Sequence, residues 1–133
     1  MKHIEHIGVA VNSLANAIPV FEKLLNCTCY KQELVESESV TTAFFKTGET
    51  KIELLESNND TSAIQKFINK RGEGIHHIAF EVDDLITEIA RLKKEGFIPL
   101  NEEPKQGADN KLICFLHPKN THGVLIELCQ SIH

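Results

Sequence analysis

No stretch of the 133-residue chain approaches the ~20 consecutive apolar residues that a membrane-spanning helix needs. The N-terminus carries no charged region followed by an apolar run and no Arg/Ser-rich presequence; it goes straight into a strand pattern. Positive charge is scarce too. Fourteen Lys and Arg against 19 Asp and Glu leave a net charge of −5, with no basic stripe, which excludes the electrostatic footprint of a nucleic-acid binder. An anionic substrate would therefore have to be held by local groups. No glycine-rich phosphate loop of the P-loop or dinucleotide type is present. The four cysteines, Cys27, Cys29, Cys114 and Cys129, make no C-x-x-C pair and no zinc-finger spacing. They read as reduced, mostly buried thiols, and the expectation is a cytoplasmic protein.

What the chain does have is enough apolar residues (41%) for a packed interior, in a length that suits one domain or two half-domains sharing a core. It also has an internal repeat. His6-Ile7-Gly8-Val9-Ala10-Val11 returns as His77-Ile78-Ala79-Phe80-Glu81-Val82, 71 positions later (77 − 6). Both read as β-strands. Side chains alternate along a strand, so His6 shares a face with the small residues Gly8 and Ala10, leaving room for something to approach it.

After each of these strands comes a helix signal. Asn12 and Ser13 are good N-cap residues, and Leu14, Ala17, Ile18, Phe21, Leu24 and Leu25 recur at helical spacing up to about Asn26. Pro19 falls inside this run and leads us to expect a late start or a kink. In the second copy Val82-Asp83-Asp84-Leu85 matches Val11-Asn12-Ser13-Leu14, and Leu85, Ile89 and Leu92 form the apolar stripe, ended by Gly96. Strands are expected at 28–35, 39–46 and 50–56, then at 97–100, 112–117 and 123–129. Between the halves, Ala63 to Asn69 could form a short helix.

The last strands repeat as well. Ile52-Glu53-Leu54 returns as Ile126-Glu127-Leu128, 74 positions later (127 − 53), three more than the histidine offset. Each half therefore reads strand, helix, strand, strand, strand, with a histidine on the first strand and a glutamate on the last. This is an α+β chain of two tandem βαβββ modules, at about 1–57 and 74–133, with a linker over 58–73. His6, Glu53, His77 and Glu127 are the candidate metal ligands. Two imidazoles and two carboxylates suit divalent cobalt, manganese, zinc, nickel or iron rather than a thiolate-seeking metal. A lone strand histidine or glutamate is usually a solvated side chain; the recurrence of both types at matching places in both copies is what points to a site. His76 faces away from His77, as a neighbour outside the ligand set or a core residue.

The paired modules with His and Glu in each half resemble the vicinal oxygen chelate superfamily. Within it the chain is similar to the family of epimerases acting on methylmalonyl-CoA. The generic part of the resemblance is the His-Ile and Ile-Glu-Leu pieces. The discriminating part is Lys70-Arg71-Gly72-Glu73-Gly74-Ile75-His76-His77 and the tail from His117-Pro118-Lys119 to Gly123-Val124-Leu125-Ile126-Glu127-Leu128. The resemblance implies one vicinal oxygen chelate domain over 1–133, a cupped, incomplete barrel around the metal, and interconversion of the (2R) and (2S) epimers of an acyl-CoA substrate. It also implies a divalent ion, cobalt first, with manganese, zinc or nickel as alternatives, and a homodimer. Glu127 would be one proton-transfer group as well as a ligand. Glu53, its symmetry mate, could share that duty, because where some family members place a glutamate off the metal this chain has Thr42. Lys105, Lys119 and His122, in loops of the second module, are candidate substrate contacts. Glyoxalase I is the rival reading, since it uses the same ligand types. An extradiol dioxygenase would leave Glu53 unexplained, and a sequestering protein on this fold would have no need of all four ligands.

Overall fold

The computed structural model describes residues 1–132. The first module comprises β1 (Ile4–Ala10), α1 (Leu14–Leu25), β2 (Lys31–Val35), β3 (Val40–Thr47) and β4 (Thr50–Ser57). A linking helix, α2 (Ala63–Arg71), precedes β5 (Gly74–Glu81), α3 (Leu85–Lys94), β6 (Lys105–Gln106), β7 (Lys111–Leu116) and β8 (Ile126–Ser131). The fold is α+β, built from tandem βαβββ modules. Strand order is β2-β3-β4-β1 in the first module and β6-β7-β8-β5 in the second, and in each the first strand lies parallel to the last. By compactness the chain divides into residues 6–76 and residues 1–5 with the chain from His77 onward.

In residues 6–76, Ser13 caps α1 by accepting the Asn16 backbone N–H at 3.2 Å, and Asn26 closes the helix in the left-handed conformation (φ 53°). Pro19 neither delays nor divides α1. The carbonyl it leaves without a partner belongs to Ala15, and both residues are exposed, so water can satisfy it. The inward face of α1 meets Val11, Ala43, Phe45 and Leu54, with Phe21 tilted against Phe45 at 6.2 Å. In the other unit α3 buries Leu85, Ile89 and Leu92 against Cys114, Leu116 and Leu128. Gly96 (φ 96°) terminates it, with the Phe97 N–H donating to Leu92 O and the Gly96 N–H to Lys93 O, a Schellman arrangement.

The modules also share a tie that joins helix to sheet. The Leu14 N–H donates to Glu56 Oε1 at 2.6 Å, and the Leu85 N–H donates to Gln130 Oε1 at 2.7 Å. Glu56 stands three residues beyond Glu53, and Gln130 three beyond Glu127. Each helix thus has one of its free N-terminal donors satisfied from the strand that carries the candidate ligand. The backbone repeats the pattern, with the Val11 N–H on Leu55 O and the Val82 N–H on Cys129 O.

Three sequence expectations shift at strand ends. β2 begins at Lys31, and β8 begins at Ile126 rather than Gly123. Residues 97–100 make only a bridge, Pro99 to Leu116, because proline cannot donate to a ladder; the edge strand is instead the short β6. The chain start is fixed to the second unit by Lys2 N–H to Glu81 O and Glu81 N–H to His3 O, both 2.9 Å. Lys111 adds a buried ion cluster, its Nζ lying 3.0 Å from Glu81 Oε1, 2.7 Å from Ser131 Oγ and 3.9 Å from Glu5 Oε2. No helix among the described residues is long and apolar enough to cross a membrane.

Replacing Glu56 or Gln130 by Ala removes a helix-capping hydrogen bond, and each change is expected to cost about 1 kcal/mol. The two ties share no partner, so the double variant should lose the sum in urea melts; coupling well beyond about 0.5 kcal/mol would contradict their independence.

Candidate metal centre

The site residues come from strand alternation. In β4, Ile52 and Leu54 turn toward the α1 core, so Glu53 between them turns to the other face. β1 runs parallel beside β4 with Gly8 opposite Glu53, which puts His6, two residues earlier, on the same face. His6 Nδ1 lies 3.2 Å from Glu53 Oε2, and both side chains are about 5% exposed. The second unit is built alike. Ala79 stands opposite Glu127, His77 is two residues earlier, and His77 Nε2 lies 3.0 Å from Glu127 Oε1.

A buried carboxylate needs a charged or hydrogen-bonding partner. Imidazole supplies one within each unit, and both groups are ligands of borderline divalent ions. The separation within each pair suits two ligands of one ion. Two donor atoms each about 2.1 Å from a metal and at a right angle lie about 3.0 Å apart, close to what each pair shows. His6, Glu53, His77 and Glu127 are thus buried candidate metal ligands with N/O chemistry.

Sulfur stays out of this chemistry. Cys129 lies two residues from Glu127 on β8; burial pushes its thiol well above the usual range, with Glu127, Glu5 and Glu81 adding to the shift and Lys111 opposing it. Burial raises the Cys114 thiol as well. Both therefore remain protonated at neutral pH and are poor ligands and nucleophiles.

An aromatic wall that the sequence reading missed stands beside each glutamate. Phe44 is cross-strand from Glu53 and fully buried; Phe115 is cross-strand from Glu127 and presents the His77 ring at 5.5 Å and 88°. The signal was available, since Phe44 and Phe115 are also 71 apart (115 − 44). His76 packs edge-on to Phe67 of α2 at 5.0 Å, outside the His77 pair. Of the residues expected to meet substrate, Lys105 is half-buried on β6, while Lys119 and His122 are exposed in the β7–β8 connection. Glu73, in the discriminating run, accepts the Asn12 backbone N–H at 2.7 Å and so fixes the approach to β5.

Residues 5–115 match the glyoxalase/bleomycin resistance protein/dioxygenase superfamily, and the chain belongs to that family. Within it, relatives that match along almost the whole chain include methylmalonyl-CoA epimerases. The mitochondrial methylmalonyl-CoA epimerase of Homo sapiens is 36% identical over 129 residues, covering 96% of this chain and 73% of that protein. The ethylmalonyl-CoA/methylmalonyl-CoA epimerase of Cereibacter sphaeroides is 37% identical, with 96% of each chain covered. Among solved structures, a Streptomyces coelicolor methylmalonyl-CoA epimerase variant in complex with 2-nitronate-propionyl-CoA superposes with a TM-score of 0.95 at 34% identity, covering 100% of this chain and 99% of that one.

The state of the thiols can be read chemically. In the native protein at pH 7.5, iodoacetamide should leave Cys114 and Cys129 unmodified, with both labelled after denaturation; rapid native alkylation of Cys129, seen by peptide mass, would contradict a buried, protonated thiol.

Proposed function

We propose that the chain interconverts the (2R) and (2S) epimers of methylmalonyl-CoA at a divalent ion held by His6, Glu53, His77 and Glu127. The observation that carries this reading is the duplicated buried His–Glu pair, at identical register in both modules of a chain similar to methylmalonyl-CoA epimerases over nearly its whole length. The hydrogen to be moved is α to a thioester carbonyl and to a carboxylate. A divalent ion, when bound, supplies Lewis-acid stabilisation of the negative charge that develops on those oxygens, a contribution of several kcal/mol.

The chain's own groups must move the proton. Glu127 takes it from C2 on one face, and a second group returns one to the opposite face, as epimerisation requires. Glu53 is that second group in this reading, being the counterpart of Glu127 in sequence and register. The phenyl rings of buried Phe44 and partly buried Phe115 beside the glutamates limit water, which favours return of the proton to carbon over leakage. Lys105, Lys119 and His122 are assigned to the CoA portion or the free carboxylate. Cobalt is the first choice of ion, with manganese, zinc or nickel as alternatives that the same donors accept. The protein works as a cytoplasmic homodimer.

Proton NMR of methylmalonyl-CoA in deuterium oxide, with protein and added cobalt, should show the C2 hydrogen washing out, and EDTA should stop it. No exchange with any of the four metals would sink the proposal. Glu53→Gln should keep bound metal while slowing exchange about 100-fold; unchanged exchange would remove Glu53 from proton transfer.

A further inference from the structure

Thr42 lies on β3 with its side chain 1% exposed, and its hydroxyl Oγ1 is buried without a hydrogen-bond partner. Other threonine hydroxyls of the same unit are satisfied: Thr41 by Asn58 and Thr47 by the Thr50 carbonyl. A buried orphan hydroxyl lowers the stability of the folded chain, and a native structure that keeps one calls for an explanation. Valine would fill the same space, is at least as suited to a strand and has nothing to satisfy.

The register says where the hydroxyl sits. Thr42 is opposite Leu55 and Phe44 is opposite Glu53, so Thr42 is on the face of the sheet that carries Glu53 and His6. The alternate residues of β3, Ala43 and Phe45, are in the α1 core on the other face. Thr42 is thus the diagonal neighbour of Glu53, within roughly 7–8 Å. Its neighbours on that face include the buried Ala10, Val40, Phe44 and Leu55, with Glu33 of β2 directly opposite it.

We propose that Thr42 is a substrate-positioning residue: its hydroxyl donates a hydrogen bond to an oxygen of the acyl group of a malonyl-type thioester bound beside Glu53. The inference rests on the epimerase reading for the identity of that thioester. The hydroxyl moves no proton to or from carbon. It holds the acyl plane so that C2 faces the carboxylates.

The test compares Thr42→Val, which removes the hydroxyl at constant shape, with Thr42→Ser, which keeps it. Thr42→Val should bind cobalt as wild type does and melt at the same or a higher temperature. Its affinity for methylmalonyl-CoA by calorimetry, and its kcat/KM for C2 exchange, should each fall about tenfold, while Thr42→Ser stays within about threefold of wild type. Binding and exchange by Thr42→Val within twofold of wild type would overturn the assignment. So would a loss accompanied by a lower melting temperature or lost cobalt, which would mark the hydroxyl as structural. A wild-type protein that binds methylmalonyl-CoA through Thr42 but exchanges no C2 hydrogen would refute the epimerase reading and leave the Thr42 contact standing. A wild type with no affinity for the thioester would refute both.

Discussion

The parallel pairing of the first and last strand of each module is the constraint on which the rest depends. A histidine and a glutamate become a pair here because hydrogen-bond register puts Gly8 opposite Glu53 and Ala79 opposite Glu127. A slip of one residue would turn each glutamate into the α1 or α3 core and bring an isoleucine or leucine to the site. The apolar neighbours of the glutamates guard against that slip. Ile52 and Leu54, like Ile126 and Leu128, gain their burial only in the observed register, so the hydrophobic face of the strand fixes the position of its charged one.

Burial of four ionisable side chains is costly unless each has a partner. The chain meets that cost in two places by different means. Within each pair the carboxylate has an imidazole within about 3 Å, a polar partner whose place a cation can take. Around Lys111 the balance is internal, one ammonium set among Glu5, Glu81 and Ser131, and it joins the chain start to β7. The second cluster holds structure together, since its cation is already part of the chain.

Much of this was legible in the sequence because repetition marks it. The His-Ile and Ile-Glu-Leu echoes picked out the residues that form the two buried His–Glu pairs, and the capping residues Ser13 and Asp84 located both helices. The features that stayed hidden depend on distance across the sheet rather than on local pattern. Glu56 and Gln130 differ in type, so their common task of holding a helix N-terminus left no repeated letter. The strand expected at 97–100 had the right apolar content, yet Pro99 limits it to a bridge while the polar pair Lys105 and Gln106 forms the edge. Thr42 was marked by the resemblance only as a threonine where some family members have a glutamate; its orphan hydroxyl is visible only once the chain around it is folded.

The two module offsets differ by three residues, and the pairing shows where. Phe44 and Phe115 keep the offset of 71, whereas Glu53 and Glu127 are 74 apart (127 − 53), so the added length falls between β7 and β8. There the tight turn at Gly48 is replaced by a single 3-10 turn at Pro118–Asn120 followed by His122 and Gly123. Phe115 nevertheless still faces Glu127 as Phe44 faces Glu53. The connection behaves as an expansion joint: residues can be added to or taken from one hairpin end without disturbing the carboxylate at its base. A duplicated frame is symmetric and a chiral substrate is not, and this joint is one place where the two halves have already become different.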